Sequence, residues 1–309
     1  MSLTILITTS SFGSETPEGL NLLKEHGFTV VMNPYGRKVS ELELQKLLCD
    51  NQPVGILAGL ETFSRQTLEM AKGYLKTISR VGVGWEAIDH EAAKDFGIKV
   101  FRTPGVLTQA VAELTIGLIL AALRKIPYSD QKIREGKWEK TMGSLLFGKT
   151  VGIIGFGAIG RKVGELVKGF GTQVIFCDPA VDAETWAEKV TLNELLARAD
   201  IISLHASGKN QILGEKEFRL LKKQGVIIVN TARGGLIDKS VLQGFLSEGT
   251  VGYACFDVFS NEPYEGPLRK CSNVILTPHI GSYAREARIM MEECAVNNLL
   301  QGLSQEKNI

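Results

Sequence analysis

Apolar and polar positions follow two rhythms along the first hundred residues. Short apolar runs at 4–8, 29–32, 55–57, 77–81 and 99–101 read as strands. Between them, 18–25, 41–49, 65–72 and 90–96 carry apolar residues at helical spacing. Strands separated by single helices predict parallel β/α winding. A long helix is expected at 108–125. Val111, Leu114, Leu118 and Ala121 form one apolar stripe on it, and Ala112, Ile116, Ile119 and Leu123 form a second. Two stripes predict cover on more than one side. Pro127 reads as a stop, and 128–148 as a polar, basic surface crossing.

A second alternating series begins at Lys149. Its strands are expected at 150–154, 173–177, 201–204, 225–230, 252–256 and 274–276. Six strands with helices between them make a complete doubly wound sheet. A final helix is expected at 285–300.

The first strand of this series runs into V-G-I-I-G-F-G-A-I-G-R. Gly155, Gly157 and Gly160 supply G-x-G-x-x-G between a strand and an expected helix at 161–170. Gly155 permits the tight turn, Gly157 lets a pyrophosphate reach the backbone, and Gly160 lets helix and strand pack closely. The helix N-terminus offers unpaired N–H groups to phosphate. The motif alone is weak, but the second strand ends in Asp178, 21 residues after Gly157. A carboxylate there accepts from both ribose hydroxyls and repels a 2′-phosphate, so NAD is expected rather than NADP. A methyltransferase binding S-adenosylmethionine shares these features and is the rival at this point.

Three more motifs stand at strand ends of the same series. They are V-N-T-A-R-G-G-L-I-D with Arg233, F-D-V-F-S-N-E-P with Asp257 and Glu262, and L-T-P-H-I-G with His279. Carboxyl ends of parallel strands share one edge, so these residues are expected beside the glycine turn. Singly, each has a structural explanation as a turn or surface residue. Together they fit hydride transfer to a ketone. His279 supplies a proton near neutral pH, Glu262 orients and charges it, and Arg233 grips a carboxylate and polarises the carbonyl. The four histidines show no ligand spacing, so no metal is expected.

Composition narrows the field further. The 309 residues hold 35 Lys and Arg against 34 Asp and Glu, a net charge of +1 that favours neither nucleic acid nor a membrane surface. That length is enough for two domains with their own cores. The apolar run 114–123 is too short to span a bilayer. The start, MSLTILITTSS, has no basic leader, and the five cysteines form no C-x-x-C pair, so they read as buried, inert thiols. The cytoplasm is the expected location.

With these motifs in order and spacing, the chain resembles the D-isomer-specific 2-hydroxyacid dehydrogenases, most of all their phosphoglycerate dehydrogenase branch. The resemblance runs over nearly the whole chain and is strongest from Leu146 to Ser282. It implies an α/β protein of two Rossmann-like parallel-sheet domains. The substrate domain, 1–103 with 283–309, is discontinuous and flavodoxin-like, and the NAD domain, 104–282, is inserted in it. It implies Arg233, Glu262 and His279 as the catalytic triad. Ala158 and Ile159 would offer N–H groups to pyrophosphate, Asp257 would hold the nicotinamide carboxamide, and His205 with Ala206 would line the adenine pocket. Thr108, Thr231 and Ala232 count with the cofactor contacts. Ser207 departs from the proline of many relatives. In S-R-V-G-V-G-W, Val83 and Gly84 would bind the substrate carboxylate through N–H groups, with Ala58 and Gly59 nearby. Family members commonly dimerise through the cofactor domain, with the helix matching 111–123 contributing, so a homodimer is expected.

The same resemblance puts D-3-phosphoglycerate first as substrate and thereby implies serine biosynthesis. Arg80 stands where it would help hold a phosphate. Glu61 would repel one if it faced the cleft, which keeps hydroxypyruvate or glyoxylate reduction as the alternative. The chain stops after the catalytic body, so serine feedback through a C-terminal domain is not expected. A formate dehydrogenase would have glutamine at Glu262. An NADH-sensing corepressor shares the fold and triad and is the alternative of another class.

Overall fold

The computed structural model describes residues 3–304 apart from Lys209 and Lys223. The chain opens with β1 (Thr4–Ile7), α1 (Glu18–Glu25), β2 (Thr29–Met32), α2 (Glu41–Asn51), β3 (Gly55–Ala58), α3 (Arg65–Ala71), β4 (Thr77–Arg80), α4 (His90–Asp95) and β5 (Lys99–Phe101). It continues with α5 (Thr108–Leu123), α6 (Ile126–Arg134), β6 (Thr150–Ile154), α7 (Ala158–Lys168), β7 (Gln173–Cys177), β8 (Glu188–Lys189), α8 (Leu192–Arg198) and β9 (Ile201–Leu204). It closes with α9 (Glu215–Phe218), β10 (Val226–Asn230), α10 (Lys239–Ser247), β11 (Val251–Phe256), β12 (Val274–Leu276) and α11 (Arg285–Ser304). Two compact units result: residues up to Leu107 together with those from Tyr283, and Thr108–Ser282.

The first unit is a parallel sheet in the order β2-β1-β3-β4-β5, the flavodoxin-like order. Successive strand residues face opposite sides. Leu6, Ile56 and Ile78 pack with Leu44, Leu48, Leu68 and Ala92 of α2, α3 and α4. Ile5, Ile7 and Leu57 pack with Leu23 of α1 and with Met291, Ala295, Val296 and Leu299 of α11. The last helix thus completes a core begun by the first strand, which makes this unit discontinuous. Its near edge lies past the expected residue 103, because Val106 and Leu107 still pack on the α11 side of this sheet.

The second unit is a seven-stranded parallel sheet, β12-β11-β10-β9-β6-β7-β8. Chain direction across the sheet reverses between β6 and β9, the place where ligands bind in such folds. Val151, Ile153, Val229 and Cys255 pack against Ala112 and Ile119 of α5 and Val163 and Val167 of α7. Ile154, Leu204, Ile228 and Phe256 pack against Leu195 of α8 and Leu242 of α10.

Several expectations change. The sheet has a seventh strand, β8, two exposed charged residues in register with Ile175 and Phe176 of β7, so no apolar rhythm marks it. Pro127 does not merely stop a helix. It lies in the first turn of α6, where its missing N–H costs nothing. Helix α6 buries no residue, which is why 128–148 looks like a loop. The cysteines are not uniformly buried, since Cys255 is and Cys49 is exposed.

Candidate active site

The glycine turn follows β6 directly. Gly155 takes φ +89°, and a Cβ there would stand 2.4 Å from the Ala206 nitrogen. A Cβ on Gly160 would stand 2.1 Å from the Gly155 carbonyl oxygen. These two glycines let β6, α7 and the segment after β9 close on one another. Gly157 differs: a Cβ there would meet nothing within 4 Å. Helix α7 starts at Ala158, three residues earlier than expected, and no side chain caps it. Ala158, Ile159 and Gly160 therefore form its first turn, whose N–H groups have no intrahelical acceptor. Open space over Gly157 beside this uncapped helix end fits a pyrophosphate. Asp178, just after β7, is drawn to the turn. Its Oδ2 accepts from the Phe156 N–H at 2.6 Å, and its Oδ1 from the Ala180 N–H at 2.7 Å. A carboxylate has about four acceptor sites, so capacity remains for ribose hydroxyls.

His205 differs from expectation. Its Nε2 lies 2.7 Å from the Ser203 hydroxyl, and its Nδ1 is buried without a hydrogen-bond partner. Burial pushes its pKa down to about 3, so the ring is neutral. The backbone of His205 and Ala206, not the imidazole, borders Gly155. Thr231 is likewise turned inward, with its hydroxyl 2.9 Å from that of Thr115 on α5. Thr108 is the first residue of α5 and half-buried.

His279 follows β12 in a left-handed conformation, φ +56°, which is costly for a non-glycine residue. Asp257, buried after β11, holds that loop. Its Oδ1 accepts from the Thr277 hydroxyl at 2.6 Å and the Ile280 N–H at 2.8 Å, and its Oδ2 from the Gly281 N–H at 2.8 Å. The observed partners of Asp257 are thus the residues flanking His279. His279 Nδ1 lies 2.8 Å from Glu262 Oε2. Glu262 is oriented in turn, its Oε1 accepting from the Phe259 N–H at 2.9 Å. The hydrogen bond to Glu262 raises the pKa of His279 above the ordinary histidine value, against opposition from burial and from the charge of Arg233.

Arg233 follows β10, in a loop shaped by a residue outside the expected site. Asn230, fully buried at the end of β10, donates to the Arg233 carbonyl at 2.9 Å and accepts from the Ala232 N–H at 3.0 Å. Its place in V-N-T-A-R was the available signal. Arg233, Glu262, His279 and the glycine turn all lie past carboxyl ends of strands in one parallel sheet.

The expected substrate residues belong to the first unit. Ala58 ends β3, Arg80 ends β4, and Val83 and Gly84 follow in a half-buried loop. The Gly59 N–H is directed to the Thr8 hydroxyl at 3.1 Å and Glu61 Oε1 at 3.0 Å. Glu61 is 1% exposed, so it does not face solvent as a phosphate-repelling charge. Burial raises its pKa, opposed by Thr8, Gly59 and Arg80. Arg80 is engaged within the chain too. Its Nη1 donates to the Val81 carbonyl, and a Cβ on Gly82 would stand 2.7 Å from that nitrogen. The guanidinium therefore lies folded over its own loop.

Among the described residues, no group of three or more His, Cys, Asp or Glu is placed to hold a metal ion, and no helix is long and apolar enough to cross a membrane. Residues 116–281 match the family described as D-isomer specific 2-hydroxyacid dehydrogenase, NAD binding domain. A glyoxylate reductase of Thermococcus litoralis is 41% identical over 243 residues, 73% of each chain. A D-3-phosphoglycerate dehydrogenase of Methanocaldococcus jannaschii is 41% identical over 258 residues, covering 80% of this chain and 48% of the relative. The crystal structure of a glyoxylate reductase from Paecilomyes thermophila superposes with a TM-score of 0.87 at 30% identity, covering 99% of this chain and 96% of that one. The chain therefore belongs to the D-isomer-specific 2-hydroxyacid dehydrogenases, as an NAD-dependent oxidoreductase.

Proposed function

We propose that this dehydrogenase reduces small, unphosphorylated 2-keto acids, glyoxylate or hydroxypyruvate, to the D-2-hydroxy acids. The observation that carries the chemistry is the 2.8 Å contact between His279 Nδ1 and Glu262. An ionised carboxylate only accepts, so Nδ1 carries a proton and Nε2 is left to exchange one with substrate. NADH, when bound at the glycine turn, supplies the hydride that reduces the carbonyl carbon. His279 gives its Nε2 proton to the carbonyl oxygen, and the resulting neutral ring keeps its Nδ1 proton toward Glu262. Arg233 grips the substrate carboxylate and draws charge toward the carbonyl oxygen as it becomes negative. Oxidation runs the same path backwards, with neutral His279 as base.

The preference for unphosphorylated acids is supported by the similarity to the T. litoralis glyoxylate reductase, which extends over 73% of each chain. The second reading, 3-phosphohydroxypyruvate reduction, is favoured by the similarity to the M. jannaschii dehydrogenase. A panel of the three keto acids with NADH and NADPH separates them. We expect kcat/KM for glyoxylate or hydroxypyruvate to exceed that for 3-phosphohydroxypyruvate by about tenfold or more, with NADH preferred. Better turnover of the phosphorylated acid would replace this reading with the second.

A further inference from the structure

We propose that Lys239 is a positioning residue, which locks the Arg233 loop to the Glu262 loop and so keeps Glu262 aimed at His279. This rests on the reading of His279 and Glu262 as the acid–base pair. Lys239 is the first residue of α10, where a cation faces the positive end of the helix dipole. The local rule is broken there, which points to a contact elsewhere. Its neighbour Asp238 is committed to capping the helix through the Ser240 and Val241 N–H groups. Lys239 reaches back over the loop that precedes α10. It is half-buried, with its ammonium donating to the carbonyl of Gly234 and lying 5.5 Å from the Phe256 ring centroid.

Those two contacts join the loops. Gly234 directly follows Arg233, and Phe256 directly precedes Asp257. Gly234 lies so close to the second loop that a Cβ would stand 2.0 Å from the Phe259 carbonyl carbon. Phe259 in turn holds Glu262 through its N–H. A continuous path therefore runs from the Lys239 ammonium through Gly234 and Phe259 to Glu262. Burial lowers the lysine pKa, and the charges of Asp238 and Glu262 oppose that fall. Glu265 lines the same cavity beside Lys239, together with Ser260, Asn261 and Tyr264.

The pH dependence distinguishes positioning from simple charge. If Lys239 acted only as a nearby cation, its removal would raise the His279 pKa and move the alkaline limb of keto-acid reduction to higher pH. If it positions Glu262, removal weakens the Glu262–His279 bond and moves that limb to lower pH. We therefore expect Lys239→Met and Lys239→Gln to lose about tenfold in kcat/KM, with the limb shifted downward and the KM for NADH within about twofold of wild type. Lys239→Arg should recover most of the loss, and it keeps the test valid if the neutral variants fold poorly. Wild-type kinetics in the folded neutral variants, an unmoved limb or an upward shift would overturn the proposal. Failure of Lys239→Arg to restore turnover would also overturn it. His279→Gln measured alongside separates the two levels: if it too is active, the acid–base reading has failed, not this inference alone.

Discussion

Replacing His279 with glutamine is expected to lower kcat/KM for keto-acid reduction by about 10²–10⁴-fold and to leave NADH affinity within about twofold of wild type. The magnitude follows from losing proton donation at one atom. Glutamine occupies similar space and keeps a donor, but it has no proton to release near neutral pH. The glycine turn lies after β6, whereas His279 lies after β12, in a loop that Asp257 secures. NADH titration by fluorescence therefore reports an intact cofactor site while steady-state kinetics report the loss. Turnover near wild type in this variant would refute the role given to His279.

Alanine at Gly157 and at Gly160 should give the second large effect, with the two variants failing differently. At Gly160 the new Cβ lies against the Gly155 carbonyl, so strand and helix must separate. We expect a stability loss of about 1–3 kcal/mol and a lowered melting temperature. NADH affinity falls with it, because the first turn of α7 moves. At Gly157 the backbone is extended, φ −72° and ψ −161°, and the space beyond is open, so alanine fits the protein. Its methyl instead fills the approach of the pyrophosphate. Gly157→Ala should keep the wild-type melting temperature and bind NADH about tenfold more weakly or worse. Full NADH affinity in Gly157→Ala would remove pyrophosphate from this turn.

These expectations rest on features of unequal visibility in the sequence. The glycine turn, Asp178, Arg233, Glu262 and His279 were legible because parallel winding brings strand ends to one edge, and each motif sits at such an end. Both sheets were legible for the same reason: buried parallel strands are short apolar runs with helices between them. Strand β8 was not, since two exposed charged residues paired to β7 carry no local pattern. Helix α6 was not, since a helix with no buried residue has no apolar stripe. Side-chain direction was the larger gap. The types and positions of His205, Thr231, Arg80 and Glu61 were visible, but not that His205 turns to Ser203, Thr231 to Thr115, Arg80 to Val81 and Glu61 to Thr8. Those directions depend on partners from 1 to 116 positions away. Asn230 and Lys239 act through backbone carbonyls, a contact that leaves no mark in residue type.

On this reading, the Glu262–His279 pair sets the proton for reduction. The most direct measurement is the pH dependence of kcat/KM for keto-acid reduction in wild type and in Glu262→Gln. Reduction needs protonated His279, so activity falls as pH rises through a histidine pKa that Glu262 holds above its ordinary value. Glutamine removes the largest cause of that elevation, while Arg233 still opposes protonation. The alkaline limb should therefore move to lower pH, with a lower plateau, and the oxidation profile should shift the same way. An alkaline limb that stays in place, or moves to higher pH, would overturn the role given to the pair.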